Sequence, residues 1–200
     1  MKITIDHSVV KALLICAAKQ DVRYYLKGVC VDARANGDGV LVTTDGHRML
    51  AYPVATDAIE ALAPGQYIIP REALEAIKPC KAGRVTLPIT IEIDTAKGLE
   101  NKITGATSVV TPLIDGKFPD WRRVMPKTVS GEPTQYNPEY VSGFGDICKL
   151  LGGKYGPFIN HNGSSAAPVT NLGPALGVIM PLRLDGDDAK FSALPAWALA

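Results

Sequence analysis

Apolar residues change their spacing three times along the chain, and each change marks the same succession of elements. Residues 2–5, KITI, read as a short strand, and Asp6 follows as an N-cap for a helix over 7–19. Val10, Leu13, Leu14, Ala17 and Ala18 recur at helical spacing and give that helix one buried face, with Lys11 and Lys19 outside. Residues 23–34, RYYLKGVCVDAR, carry the Val and Tyr enrichment of a strand, and an Asn36-Gly37 turn leads into the clearest hairpin, residues 39–54. Val40, Val42 and Thr44 alternate on one arm; Met49, Ala51 and Pro53 alternate on the other, around Asp45-Gly46. Gly46 can take the positive φ of a tight turn, so His47 and Arg48 leave it at a sheet rim, beside Leu50 and an exposed Met49. A polar rim next to apolar surface suits docking; a plain solvated turn reads the same way.

The succession then returns. Residues 66–69 form a strand, Pro70 suits a first helical position, and a helix over 71–78 sets Ala73, Leu74 and Ile77 on one face until Pro79 stops it. Strands follow over 84–94, where Val85, Leu87, Ile89, Ile91 and Ile93 alternate, and over 101–113. A third return starts with a strand at 134–136, then Asn137 as cap, Pro138 in the first turn, and a helix to about Leu151 that Gly143 and Gly145 weaken. The helix starts at 6, 70 and 137 are 64 and 67 residues apart, which predicts repeated units, each packing one helix face on its sheet. Residues 176–184, LGVIMPLRL, close the last unit as an apolar strand, and residues 185–200 read as a flexible tail. The predicted fold is α+β.

Composition narrows the partners. With 46% hydrophobic residues the chain can bury a full core, and no apolar run reaches the length that spans a bilayer. Asp6 and the amphipathic spacing argue against a signal peptide, so a cytoplasmic location is expected. Cys16, Cys30, Cys80 and Cys148 lack CxxC spacing or nearby histidines, so buried reduced thiols are expected rather than a metal site or disulfides, and no cofactor is implied. A net charge of +1 gives no basic field for nucleic acid, and any such partner must be held by a local stripe.

Catalysis finds little support. Asp45 and His47 could join a serine in a triad, and Asp185, Asp187 and Asp188 could hold a metal. No serine sits on a strand-to-helix elbow, however, and the chain has neither HExxH nor a glycine-rich phosphate loop.

Three segments taken together resemble a known family. DVRYYLKGVCVDA (21–33), VTTDGHRMLAYPV (42–54) and DGKFPDWRRVMPK (115–127) resemble the middle domain of the bacterial DNA polymerase III beta subunit, the sliding clamp. NPEYVSGFGDICKLL (137–151) and VIMPLRL (178–184) resemble its final half-domain. The implied organisation is two half-units over 1–130, a third over 131–184, and the tail. The family's chain has three domains of two half-units each. If a closed ring holds twelve half-units, three per chain require four chains, a homo-oligomeric tetramer ring. An unmatched third half-unit also leaves a sheet edge that points to self-association.

The resemblance implies two surfaces. One is a cleft for clamp-binding motifs of DNA polymerase or other DNA-processing proteins, walled by Leu26, Thr44, Gly46, His47, Arg48 and Met49. Pro119, Arg123 and Val124 come from the second unit, and Asn137 and Tyr140 from the third helix. Val178, Ile179, Met180, Pro181, Leu182 and Arg183 complete it from the last strand. The other surface is a channel lining that binds duplex DNA without reading sequence, with Lys11, Lys19, Arg71, Lys78 and Lys149 as its cations. Gln20, Arg23, Tyr24 and Tyr25 match a family segment that contacts DNA. The function implied is a non-catalytic processivity factor, with a clamp loader as a further partner; the alternative is an adaptor or decoy that binds the motifs without encircling DNA. Phe191, Leu194 and Trp197 of the tail could dock into such a cleft.

Overall fold

A computed structural model of the chain describes residues 2–34, 38–54, 59–60, 64–83, 85–94 and 100–183. The expected Asn36-Gly37 turn and the segment after Arg183 lie outside these residues.

The first unit runs β1 (Lys2–Ile5), α1 (His7–Cys16), β2 (Gly28–Ala33), β3 (Gly39–Thr44) and β4 (Arg48–Val54). Val9, Val10, Ala12, Leu13 and Cys16 bury one side of α1. Asp6 stands at its N-cap without a side-chain bond, and its carbonyl accepts from Val9 and Val10 N–H instead. The helix stops short of residue 19 because Arg71 takes over its last carbonyls, donating from Nη1 to Leu14 O at 2.7 Å and to Ala17 O at 2.9 Å. The expected strand over 23–34 begins only at Gly28; before it, Tyr24–Leu26 form a 3-10 turn closed by Leu26 N–H to Arg23 O and Lys27 N–H to Tyr24 O.

The second unit comprises β5 (Ile59–Glu60), β6 (Gly65–Pro70), α2 (Arg71–Glu75), β7 (Lys81–Ala82), β8 (Val85–Thr86), β9 (Ile89–Asp94), β10 (Glu100–Thr104) and β11 (Ser108–Pro112). Ala73, Leu74 and Ile77 are buried as expected, yet α2 is a short helix that ends at Glu75. Lys78 precedes a proline, which disfavours helix, and its carbonyl accepts from Ala106 N–H at 2.8 Å. The alternation expected through 84–94 breaks at Pro88: Ile89, Ile91 and Ile93 enter the core, whereas Val85 and Leu87 face solvent.

The third unit is α3 (Pro138–Leu150), β12 (Phe158–Ile159), β13 (Ala167–Leu172) and β14 (Ala175–Ile179). Asn137 Oδ1 caps α3 by accepting from Glu139 N–H at 2.9 Å. Residues 134–136 are not a strand; one bond, Leu182 N–H to Gln135 O, is what their extended pattern amounts to. The strand over 176–184 ends at Ile179, since Pro181 cannot donate to a ladder.

The strands form a five-stranded sheet in the order β11-β10-β9-β1-β5, a seven-stranded sheet in the order β12-β13-β14-β4-β3-β2-β6, and a small β7-β8 ribbon. β14 pairs antiparallel with β4, Ile179 opposite Arg48 and Val178 opposite Met49, so β12–β14 extend the sheet of β2, β3, β4 and β6, while β1 joins β5 and β9–β11 in the other sheet. The main core lies on the helix side of both sheets, where Leu13, Leu41, Leu50, Ile69, Ile91 and Phe144 meet. A second cluster lies on the far side of the seven-stranded sheet, where Cys30, Val42, Met49, Ile68 and Val178 meet Leu26, Phe118 and Trp121. Among the described residues no helix is long and apolar enough to cross a membrane.

Candidate peptide cleft and helix face

The TDGHR turn is held by its own side chains. Asp45 Oδ1 accepts from the backbone N–H of His47 at 2.9 Å and of Arg48 at 3.0 Å, and Oδ2 accepts from Arg48 Nε at 2.9 Å. Thr44 Oγ1 donates to Arg48 O and accepts from Gly46 N–H. Gly46 has φ +92°, which a side chain would strain, and the Arg23 guanidinium lies where its Cβ would be. Asp45 and Thr44 therefore serve the turn, and both Asp45 oxygens are occupied within it rather than by His47's ring.

This turn joins the first unit to the third. Met180 N–H donates to His47 O at 2.8 Å, carrying the chain on from the β4–β14 ladder. His47 stacks on Tyr140 of α3 at 6.0 Å, and the Arg48 guanidinium lies 4.7 Å from the same ring centroid. Burial, with the Asp45 carboxylate nearby, pushes the Tyr140 phenol above its ordinary value. Gly143, one turn along α3, leaves the space that Arg48 Nη1 and Ile15 fill, so the glycine that weakens the helix lets it approach the hairpin.

The floor of the cleft is the outer cluster. Leu26, Met49 and Val178 are buried there with Phe118 and Trp121, so Met49 is a covered floor residue, not the exposed one expected. Val124, Met180 and Leu182, which follow the Trp121 turn and the Val178 strand end, keep 45%, 38% and 43% of their surface exposed. Pro119, Arg123 and Arg183 are also exposed, whereas Pro181 is half-buried. Ile179 belongs elsewhere: strand alternation turns it to the helix side, where it is buried in the main core and cannot touch a ligand in the cleft. Asn137 is occupied as the α3 cap.

Sequence reasoning missed the support of the wall. Residues 121–124 form a 3-10 turn laid over the outer face, and Asp32 Oδ2 accepts from Trp121 Nε1 at 2.7 Å and Arg122 Nη1 at 2.6 Å. The signal was an aspartate within the strand GVCVDA.

The candidate DNA contacts separate. Lys11, Lys19, Lys78 and Lys149 are exposed, with Lys149 Nζ 3.1 Å from Asp146. Arg71 is buried; besides capping α1 it pairs with Glu75 at 2.8 Å, so its cation is consumed by structure. Glu72, Glu75, Glu139 and Asp146 share the helix side with the lysines. Arg23 clasps Asp21 through Nε at 3.0 Å and Nη2 at 2.7 Å, and Arg23's side chain and backbone N–H hold the Asp21 carboxyl down at about 2. Tyr24 and Tyr25 meet edge to face at 5.7 Å on the 3-10 turn. A cleft of about 620 Å³ brings Lys19, Gln20 and Arg23 beside His47, Arg48 and Tyr140, linking the two candidate surfaces. Among the described residues no group of His, Cys, Asp or Glu is placed to hold a metal ion.

Known proteins share stretches of this sequence and its fold. A family model described as "DNA polymerase III beta subunit, central domain" matches residues 4–120. The beta sliding clamp of Pseudomonas putida is 37% identical over 111 residues, covering 55% of this chain and 29% of the relative; that of Escherichia coli K12 is 30% identical over 119 residues, covering 59% and 31%. The chain thus spans under a third of the relatives it matches. Among solved structures, the sliding clamp of Pseudomonas aeruginosa superposes with a TM-score of 0.63 at 20% identity, covering 92% of this chain and 66% of that one. The Helicobacter pylori beta clamp bound to a DNA ligase peptide superposes at 0.67 with 15% identity, covering 92% and 66%. The fold likeness therefore extends past the matched central domain into the third unit, and over more than half of its length the chain belongs to the DNA polymerase III beta subunit family, the sliding clamps.

Proposed function

We propose that this chain is a non-catalytic tethering subunit of the clamp type, which grips short peptide segments of DNA polymerase or other DNA-processing proteins and associates with duplex DNA as an oligomer. The observation that carries this reading is the β4–β14 junction, which brings the TDGHR turn and residues 178–183 together from distant parts of the chain. The adjoining apolar rim of Val124, Met180 and Leu182 suits a peptide's hydrophobic anchors, and His47, Arg123 and Arg183 suit its polar ends. The relative bound to a DNA ligase peptide supports the same class of partner. Processivity then follows from topology and from the raised local concentration of a tethered enzyme, with no bond made or broken.

Assembly proceeds through the open strands. β11 and β12 end the two large sheets and pair on one side only among the described residues, leaving backbone groups for another copy. Light scattering across a range of concentrations, followed by retention on nicked circular DNA, tests the reading. A tetramer held on circles and released by linearisation is the expected result. Peptide binding by a monomer with no retention would leave the adaptor, and absence of both would end the clamp reading.

A further inference from the structure

We infer that Asp32 is a positioning residue for the cleft, acting on a bound peptide through Trp121 and Arg122, whose turn carries Arg123 and Val124. This rests on the cleft reading proposed above. Strand β2 reads GVCVDA, and aspartate is a residue that sheets disfavour. Asp32 stands opposite Val40 of β3 and Gln66 of β6, is 7% exposed, and lies on the same side as Cys30 of the outer cluster. A local rule broken inside a regular element points to a site where something else is gained.

What is gained is a three-part clasp. Trp121 Nε1 and Arg122 Nη1 both donate to Asp32 Oδ2, at 2.7 and 2.6 Å, and the Arg122 guanidinium lies 4.2 Å from the Trp121 ring centroid. The carboxylate bonds are short and charge-assisted, and the cation on the indole closes the triangle. Trp121 is buried, so neither water nor another partner replaces the acceptor cheaply. Arg123 N–H to Asp120 O and Met125 N–H to Arg122 O, each 3.2 Å, tie the rest of the turn to these two residues. Among the described residues Asp32 supplies the only side-chain hydrogen bonds to this turn. Fixing Trp121 and Arg122 therefore fixes the wall that Val124 and Arg123 present, although Asp32 itself never reaches the peptide.

The test uses the full chain with Trp197→Phe throughout, which leaves Trp121 the sole tryptophan of the two. The probe is a fluorescent copy of the DNA ligase peptide bound by the Helicobacter pylori clamp. Asp32→Ala weakens binding about tenfold while circular dichroism stays unchanged, and Trp121 emission shifts as the indole loses its carboxylate. Asp32→Asn, which keeps a neutral acceptor, retains most of the affinity and part of the spectrum. Should Asp32→Ala fail to fold, Trp121→Phe removes the indole donor together with part of the buried ring, and Arg122→Leu removes the second donor to Asp32 while leaving the residues of the buried cluster in place; both weaken binding in the same direction. Unchanged affinity in a folded Asp32→Ala, Trp121→Phe or Arg122→Leu chain overturns the inference while leaving the cleft standing. No binding by the unaltered chain overturns the cleft and the clasp together.

Discussion

The two faces of the seven-stranded sheet are covered in different ways. On the inner side α1 and α3 lie across aliphatic side chains and satisfy their backbones internally except at their ends, so the face is largely closed. Its buried cation is spent on structure: Arg71 ends α1. On the outer side the cover is an irregular stretch that borrows its side-chain hydrogen bonds from Asp32 and leaves Val124 half out in solvent. A helical cover seals a sheet; an irregular one needs a side-chain acceptor and leaves surface over. Recognition is expected on the second kind of face, where apolar groups remain without a partner.

The sharpest way to break this contrast is at Arg71. If it is structural, Arg71→Ala strands the Leu14 and Ala17 carbonyls and costs about 2–3 kcal/mol in urea unfolding, whereas Lys78→Ala costs nearly nothing. Equal small effects would return Arg71 to the list of DNA contacts. On the outer face, Val124→Asp with Leu182→Asp puts charge on the apolar rim and weakens peptide binding about tenfold, or ~1.4 kcal/mol, with the melting temperature nearly unchanged because both residues are half exposed.

Alkali probes the buried thiols, Cys16 on the sealed face and Cys30 beneath the outer cover. Burial pushes the Cys16 thiol up to about 12 from an ordinary 9.0, and burial likewise raises Cys30. The unfolded chain therefore releases these protons first: the contribution to stability is complete below about 9 and is lost as pH rises from there towards about 12. The urea midpoint should fall between pH 8 and pH 10, and Cys16→Ala should flatten that fall. The smallest effect belongs to the exposed helix lysines. Lys11→Glu with Lys149→Glu should lower DNA retention a few-fold and reduce its salt dependence, without touching peptide affinity. A loss as large as that of the rim variants would mean that the helix side dominates function.

Local chemistry made much of this legible. The helices start near 6, 70 and 137 as expected, with Asn137 capping through its side chain, Asp6 through its carbonyl, and Pro70 one residue ahead of the first helical position expected for it; Asp45-Gly46 makes the turn its composition demands. What escaped was decided at a distance. Arg71 reads as a surface cation until a helix end arrives beside it, and Ile179 reads as a cleft residue until the register with Arg48 turns it inward. Tyr24 and Tyr25 carry strand composition, but the chain must bend there to reach Gly28. Val85 and Leu87 kept the alternation of a buried strand while Pro88 cut them away from its sheet. Asp32 stood out only as an aspartate inside a strand, and its role was hidden because its partners Trp121 and Arg122 lie in a segment that pattern alone treats as a loop.

The β4–β14 ladder also bears on the order in which the molecule takes shape. Its two strands, which pair Arg48 with Ile179, are separated by all of the chain between β4 and β14, so their meeting carries the loop-closure entropy of that long intervening stretch. Local hairpins such as β3–β4 and β10–β11 close over a few residues and need no such wait. The cleft is thus expected among the last features to mature during folding, and a chain caught partway would hold its core hairpins yet be unable to grip a partner.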